Sequence, residues 1–271
     1  MTTTLDAVRT PVRATERTPN TAADRMKALA RAELTLLGRN KSAMFTVLVL
    51  PTVLTVSMHS AVSNLDLKQT GLTVGTVLLP GSLGYVLLFA VYSTLTGVYV
   101  IRREELVLKR LRTGELRDLE ILAGAALPAV VIGLAQSVLL AAGGSVLMDV
   151  AVPGTVWLAV VGLLLGMVVM GALAAATAAV TKSAEGAQIA VMPMMMLSIA
   201  GSGMVVPLDV LPDKLASFCE LLPLSPVVGM IRDGWTGAGA GEVLRELLVM
   251  VVWTFIAVLV VLKRFRWEPR R

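Results

Sequence analysis

The chain has 271 residues, 56% of them hydrophobic and 16% charged, with a mean hydropathy of +0.78, whereas soluble domains run at roughly 45–50% apolar and about 25% charged. Each helical crossing of a bilayer takes about 20 apolar residues, so about five to seven crossings would use up the chain and leave no room for a large soluble domain. The net charge of +5 comes with only 4% aromatic residues, too few for a stacking surface, so no nucleic-acid partner is expected, and the single cysteine, Cys219, excludes an internal disulfide.

Residues 1–21 hold Thr, Arg and Pro without an apolar stretch, which predicts a disordered cytoplasmic tail and not a secretory signal. In AADRMKALARAELTLLGRNKS, from Ala22, the residues Met26, Leu29, Ala30, Leu34 and Leu37 gather on one helical face, with Arg25, Lys27, Arg31 and Thr35 opposite. This predicts an amphipathic helix over 22–40 lying in the headgroup layer and touching membrane lipids. Glu33 falls near the middle of the apolar face, a costly place for a carboxylate unless a basic partner or a protein surface meets it.

Six spans are predicted, at about 41–58, 76–101, 119–148, 156–180, 187–206 and 243–262. Pro51, Pro80 and Pro128 lie inside the first three and are expected to bend them without breaking them. Twenty of the 24 Lys and Arg lie at or before Lys41, between Arg102 and Arg117, at Lys182, or from Lys263 onward. The positive-inside bias makes those segments cytoplasmic, both termini included, with 265–271 as a basic cytoplasmic tail.

Between the second and third spans stands REELVLKRLRTGEL, from Arg103. On a helix, Val107, Leu108 and Leu111 share an arc of roughly 100°, Arg103, Lys109, Arg110 and Arg112 spread over the rest, and Glu104 intrudes on the apolar arc. A solvated loop would explain the arginines. It would not explain three ordered aliphatics or a helix stop at Gly114, so a short docking helix over 102–118 is expected.

On the fourth span Gly162 and Gly166 form a small-xxx-small pair, suited to close packing within the chain or against a second chain. The run Met192-Pro193-Met194-Met195-Met196 on the fifth is either core filler beside a bend or a lining for varied apolar cargo. The stretch 207–241 is broken by Pro207, Pro212, Pro223 and Pro226. It carries too many aliphatics for a solvated loop and too many charges for a span, which places it at intermediate depth in the outer leaflet.

Ionisable residues fall at span ends or in loops, which argues against a proton relay. His59 is the sole histidine, and no set of His, Cys and carboxylates stands at metal-ligand spacing. A serine hydrolase built on Ser202 would need a base that His59, at the outer end of the first span, is not placed to supply. No G-x-x-x-x-G-K-[ST] occurs, so energy for active transport would come from another polypeptide.

Three patterns carry a resemblance: RAELTLLGRNKSAMF from Arg31, EELVLKRLRTGELRDLEILAGAALP from Glu104, and GSGMVVPLDVLPDKLASFCELLPLSPVVGMIRDGW from Gly201. In this order, the chain resembles the type-2 ABC exporter permease, and particularly its drug-resistance branch typified by daunorubicin export permeases. Two departures stand out: Leu106-Val107 where the family often has Gly-Thr, and Glu115 where it has proline.

The resemblance implies an all-α membrane fold over 41–264, with an interfacial helix bearing Arg31 and Glu33. It implies a coupling helix of Glu104, Glu105, Val107, Leu108, Lys109, Arg110, Leu111, Arg112, Thr113 and Gly114, seated in a separate ATP-binding subunit present in two copies. An outer re-entrant hairpin would carry a gate with Ser202, Gly203, Pro207, Pro212, Pro223 and Arg232, and Met192, Met194, Met195 and Met196 could line the cargo path. ATP and Mg would be bound by the partner and no cofactor by this chain. A second permease chain, identical or paralogous, would complete the path in a bacterial plasma membrane, for an amphiphilic or apolar cargo. The competing expectations are an ATP-independent lipid-handling scaffold and, behind it, the intramembrane serine hydrolase.

Overall fold

The computed structural model describes residues 31, 35, 41–63, 73–113, 117–147, 154–237 and 239–268. Glu33, Gly114, residues 1–21 and 269–271, and all of 22–40 except Arg31 and Thr35, lie outside the described residues. Of the interfacial segment, exposed Thr35 donates its hydroxyl to the Arg31 carbonyl at 2.8 Å, one helical turn back.

All regular structure among the described residues is helical. Helix α1 (Lys41–Ser63) runs through Pro51, and Thr55 donates to the Pro51 carbonyl at 2.8 Å. A reciprocal cap starts α2 (Val74–Glu104): the Thr76 amide donates to Thr73 Oγ1 at 3.2 Å, and the Thr73 amide to Thr76 Oγ1 at 2.9 Å. Two orphan amides of the first turn are thereby satisfied. Mid-helix, α2 widens to π geometry over Leu87–Ser93, and Thr94 Oγ1 donates to the Phe89 carbonyl at 2.8 Å.

The short α3 (Val107–Arg112) leads to α4 (Asp118–Leu147), and α5 (Val156–Val180) follows. Helices α6 (Ala184–Ala190) and α7 (Met192–Gly201) are two pieces of one apolar stretch, divided at Val191 before Pro193. A 3-10 turn (Leu208–Val210), α8 (Asp213–Cys219) and α9 (Ser225–Thr236) fill the proline-broken segment, and α10 (Ala240–Arg264) closes the order.

Among the described residues, five stretches are long and apolar enough to cross a membrane: α2, residues Asp118–Gly144 of α4, α5, α6 with α7, and α10. Where the first span is expected, the described residues give a shorter apolar helix, Val49–His59 of α1. The expected fifth span differs: helix ends at Gly201, five residues before the expected boundary, since Ser202 leaves helical geometry and Gly203 takes φ +68°. Only glycine adopts that region without a Cβ penalty.

Helix α2 is the centre of the bundle, 83% of its most apolar window being buried, against 11% for α10. Its Leu87, Leu88, Val91 and Leu95 share one core with Val169, Met170, Leu173 and Ala174 of α5. Helix α9 lies along α5 where side chains are missing. A Cβ at Gly162 would stand 3.2 Å from the Ile231 nitrogen and from Met230 Cβ, and one at Gly166 would collide with Val227 Cγ1 and reach Leu87 Cδ1 at 2.8 Å. The small-xxx-small pair therefore serves packing inside the chain, as close backbone approach in lipid requires.

Candidate functional site

The docking segment is rooted by a residue that the helical arc placed on its polar side. Arg103 is not solvated: it is the largest fully buried side chain, with no exposed surface. Its Nη1 donates to the Ala178 carbonyl at 2.8 Å and its Nη2 to the Thr181 carbonyl at 2.6 Å. Ala178 belongs to the last turn of α5, where carbonyls lack intrahelical partners, and a cation there also meets the negative end of the helix dipole. Hydrogen bonds to a charged group are each worth roughly 1.5–3 kcal/mol net.

The next residue, Glu104, turns to the following helix. Its Oε2 accepts from the Ala184 amide at 3.3 Å, beside Ser183, whose Oγ accepts from the Gly186 amide at 3.1 Å. The chain then reverses through Leu106, the one described non-glycine residue with positive φ, at 59°. The turn is closed by Glu105 N to Ile101 O at 2.9 Å and Leu106 N to Arg103 O at 3.1 Å. This left-handed conformation costs a leucine roughly 1–3 kcal/mol.

On α3 the aliphatic arc points into the chain's own fold. Leu108 is fully buried and Val107 and Leu111 are half-buried, so Leu108 is not free to seat in another subunit. The outward side carries Glu105, Lys109, Arg110, Arg112 and Thr113. Arg112 pairs with Asp118 through two hydrogen bonds, Nε to Oδ1 at 3.0 Å and Nη2 to Oδ2 at 3.4 Å. Lys109 Nζ lies 2.7 Å from Glu268 Oε1, and that charged hydrogen bond holds the Glu268 carboxyl below its ordinary pKa. Residues 265–268, in the stretch expected as a basic tail, thus lie against α3.

At the other end of the bundle, buried Arg232 on α9 donates Nη2 to the Gly203 carbonyl at 2.6 Å, and its Nη1 stands 3.9 Å from Asp209 Oδ2. Burial pushes the guanidinium pKa down, against the pull of Asp209, Asp233 and Glu246. Ser225 Oγ donates to the Cys219 and Gly201 carbonyls, so Ser202, Gly203, Pro207 and Arg232 are drawn to one place. Pro223 is buried just before α9, whereas Pro212 is exposed at the start of α8.

A cavity of about 680 Å³ opens here, lined by Asp209, Asp233, Trp235, Glu242, Arg245 and Glu246 among others. Among the described residues, no three carboxylates converge closely enough to hold a metal ion. Glu246 was missed by the sequence reading. Because α10 begins at Ala240, three residues earlier than expected, Glu246 lies about two turns inside it, with Oε1 against Gly229 of α9.

The remaining candidates separate. Met195 is buried and Met194 half-buried in the bundle, while Met192 and Met196 are turned outward. Ser202 is buried, and its Oγ has no hydrogen-bond partner among the described residues. His59 Nδ1 lies 3.4 Å from Ser63 Oγ on α1. A second, smaller cleft of about 230 Å³ lies between α1, α2 and α4, lined by Thr52, Thr55, Leu78, Ser82, Leu139 and Gly143 among others.

Residues 24–235 match the sequence profile of the family described as ABC-2 type transporter. No curated protein matches the chain.

Proposed function

Because this chain belongs to the ABC-2 type transporter family, whose membrane domains are permease components of ABC transporters, we propose that it is the permease subunit of an ATP-driven exporter. The observation that carries the reading is the outward face of α3, with Glu105, Lys109, Arg110 and Arg112 presented on a turn anchored beneath by Arg103. A charged, pre-ordered surface at the basic end of the bundle suits a cytoplasmic ATP-binding subunit, two copies of which would serve two permease chains.

In this reading α1 is the first of six spans, both termini are cytoplasmic, and the membrane is a bacterial plasma membrane. Helices α8 and α9 dip into the outer leaflet as a gate held shut by Arg232 on the Gly203 carbonyl. The cargo is amphiphilic or apolar, in keeping with the drug-resistance branch, since the outward Met192 and Met196 offer a flexible apolar surface.

The test is to purify the chain from its native membrane under mild detergent, identify what accompanies it, and reconstitute the complex in vesicles loaded with a fluorescent amphiphile. A stoichiometric ATPase bearing a phosphate-binding loop, and ATP-dependent movement of the dye, are expected. A chain that purifies alone and moves lipid or dye without ATP would make it the ATP-independent scaffold.

A further inference from the structure

We infer that the adjacent pair Arg103 and Glu104 carries the stroke of the coupling segment into the corner between α5 and α6, an inference that rests on the permease reading above. By covalent continuity α3 is joined only to α2 and, through residues 113–117, to α4. The side chains of the last two residues of α2, just before α3, add a third connection. Arg103 grips the carbonyl end of α5 at 2.8 and 2.6 Å, and Glu104 accepts the amide that opens α6 at 3.3 Å. The signs match the two helix ends, cation on carbonyls and anion on amide.

The grip is stiff for physical reasons. A guanidinium without exposed surface cannot exchange its carbonyl partners for water, so a displacement of α3 that moves the end of α2 must either leave a buried charge without acceptors or take the corner with it. One further bond ties the cytoplasmic half of α2 to the end of α5, Tyr92 OH with Thr177 Oγ1 at 3.1 Å, and another ties it to the start of α4, Tyr99 OH to the Leu122 carbonyl at 3.0 Å. The π segment Leu87–Ser93 begins above them, and such geometry is frequent at functional sites and at helix kinks. The unit moved by the coupling segment is then the lower half of α2, the end of α5 and the start of α6. Helix α7, with Met192 and Met196 outward, follows because only Val191 divides it from α6.

The experiment uses the complex with the ATPase that co-purifies with the wild-type chain, in a Cys219→Ala background. Spin labels are placed on cysteines at exposed Lys182 and Lys263 in one preparation and at exposed Thr113 and Lys263 in another. Trapping with ATP and vanadate is expected to shift both distances. In Arg103→Met the 113–263 shift persists and the 182–263 shift is lost. Glu104→Gln, which alters only an exposed carboxylate and serves if Arg103→Met does not assemble, weakens the 182–263 shift. An unchanged 182–263 shift in the assembled variants overturns the inference, as does the absence of any shift in the wild type. If no ATPase accompanies the wild-type chain, it is the permease reading that falls.

Discussion

The Arg112 guanidinium lies over the ring of Trp267, 5.0 Å from its centre, with Asp118 holding the opposite flank by two hydrogen bonds. Phe265 meets the same ring edge-on at 5.2 Å, and Glu268 reaches Lys109. The last described residues therefore order two of the cations that α3 presents. Exposed cation–π contacts are worth roughly 0.5–1 kcal/mol. Trp267→Ala should leave the chain in the membrane at wild-type yield and weaken its association with the ATPase by about two- to fivefold, measured by titrating the subunit onto the reconstituted permease. Equal or tighter binding would mean that the segment does not contribute to the docking face.

The turn at Leu106 gives a ranked prediction. Its φ of 59° is open to glycine, tolerated by leucine at a cost, and worst for a β-branched side chain. Leu106→Gly should melt at or above the wild-type temperature in detergent, and Leu106→Val below it. The reverse order would mean that packing of the partly exposed Leu106 side chain outweighs the backbone.

The bundle was legible because lipid demands long apolar stretches, and composition alone locates them; residues 156–180 coincide with α5 to the residue. Arg103 was not legible. A cation at the cytoplasmic end of a span fits the positive-inside bias whether it faces water or a helix end, and only tertiary structure separates the two. The amphipathic arc on α3 was read correctly as an arc, but an arc does not say what covers it, and Leu108 is covered from within. Glu246 escaped because, three residues past the expected start at 243, it passed for a span-end carboxylate, whereas the helix begins at Ala240 and sets it about two turns inside. The meeting of Arg232 with Gly203 was not legible from spacing, since 29 residues separate Arg232 from the carbonyl it holds.

The packing of α9 on α5 separates two glycines on one helix. A Cβ at Gly166 has no room beside Val227 and Leu87, whereas one at Gly171 meets only Leu95 Cδ1, at 3.9 Å. Overpacking typically costs 1–3 kcal/mol. Gly166→Leu should lower the melting temperature and the yield of monodisperse protein, and Gly171→Ala should leave both unchanged. If Gly166→Leu instead disrupts only association between chains, the face belongs to a dimer contact and not to α9.

Asp233 makes the cavity beside Arg232 sensitive to pH. Burial first, and the Glu242 carboxylate second, push its carboxyl up from 3.8 to about 6, with Arg232 pulling the other way. A folded state with a raised acid pKa binds more protons than the unfolded chain between those two values, so this group's contribution to stability declines as pH rises through the window and stays low above it. The effect is moderated because Asp233 is only partly buried and water screens it. Asp233→Asn carries no charge to penalise, and Arg232 keeps its bond to Gly203 and its neighbour Asp209. The wild type should therefore melt higher at about pH 5 than at about pH 7, and the variant should melt higher than the wild type at about pH 7 with a flatter profile between the two. Identical profiles would place the pH dependence elsewhere. Since Asp233 on α9 and Glu242 on α10 face the same cavity, neutralising one removes a repulsion between the two walls, so acid should draw those walls together while leaving the Arg103 corner unaffected.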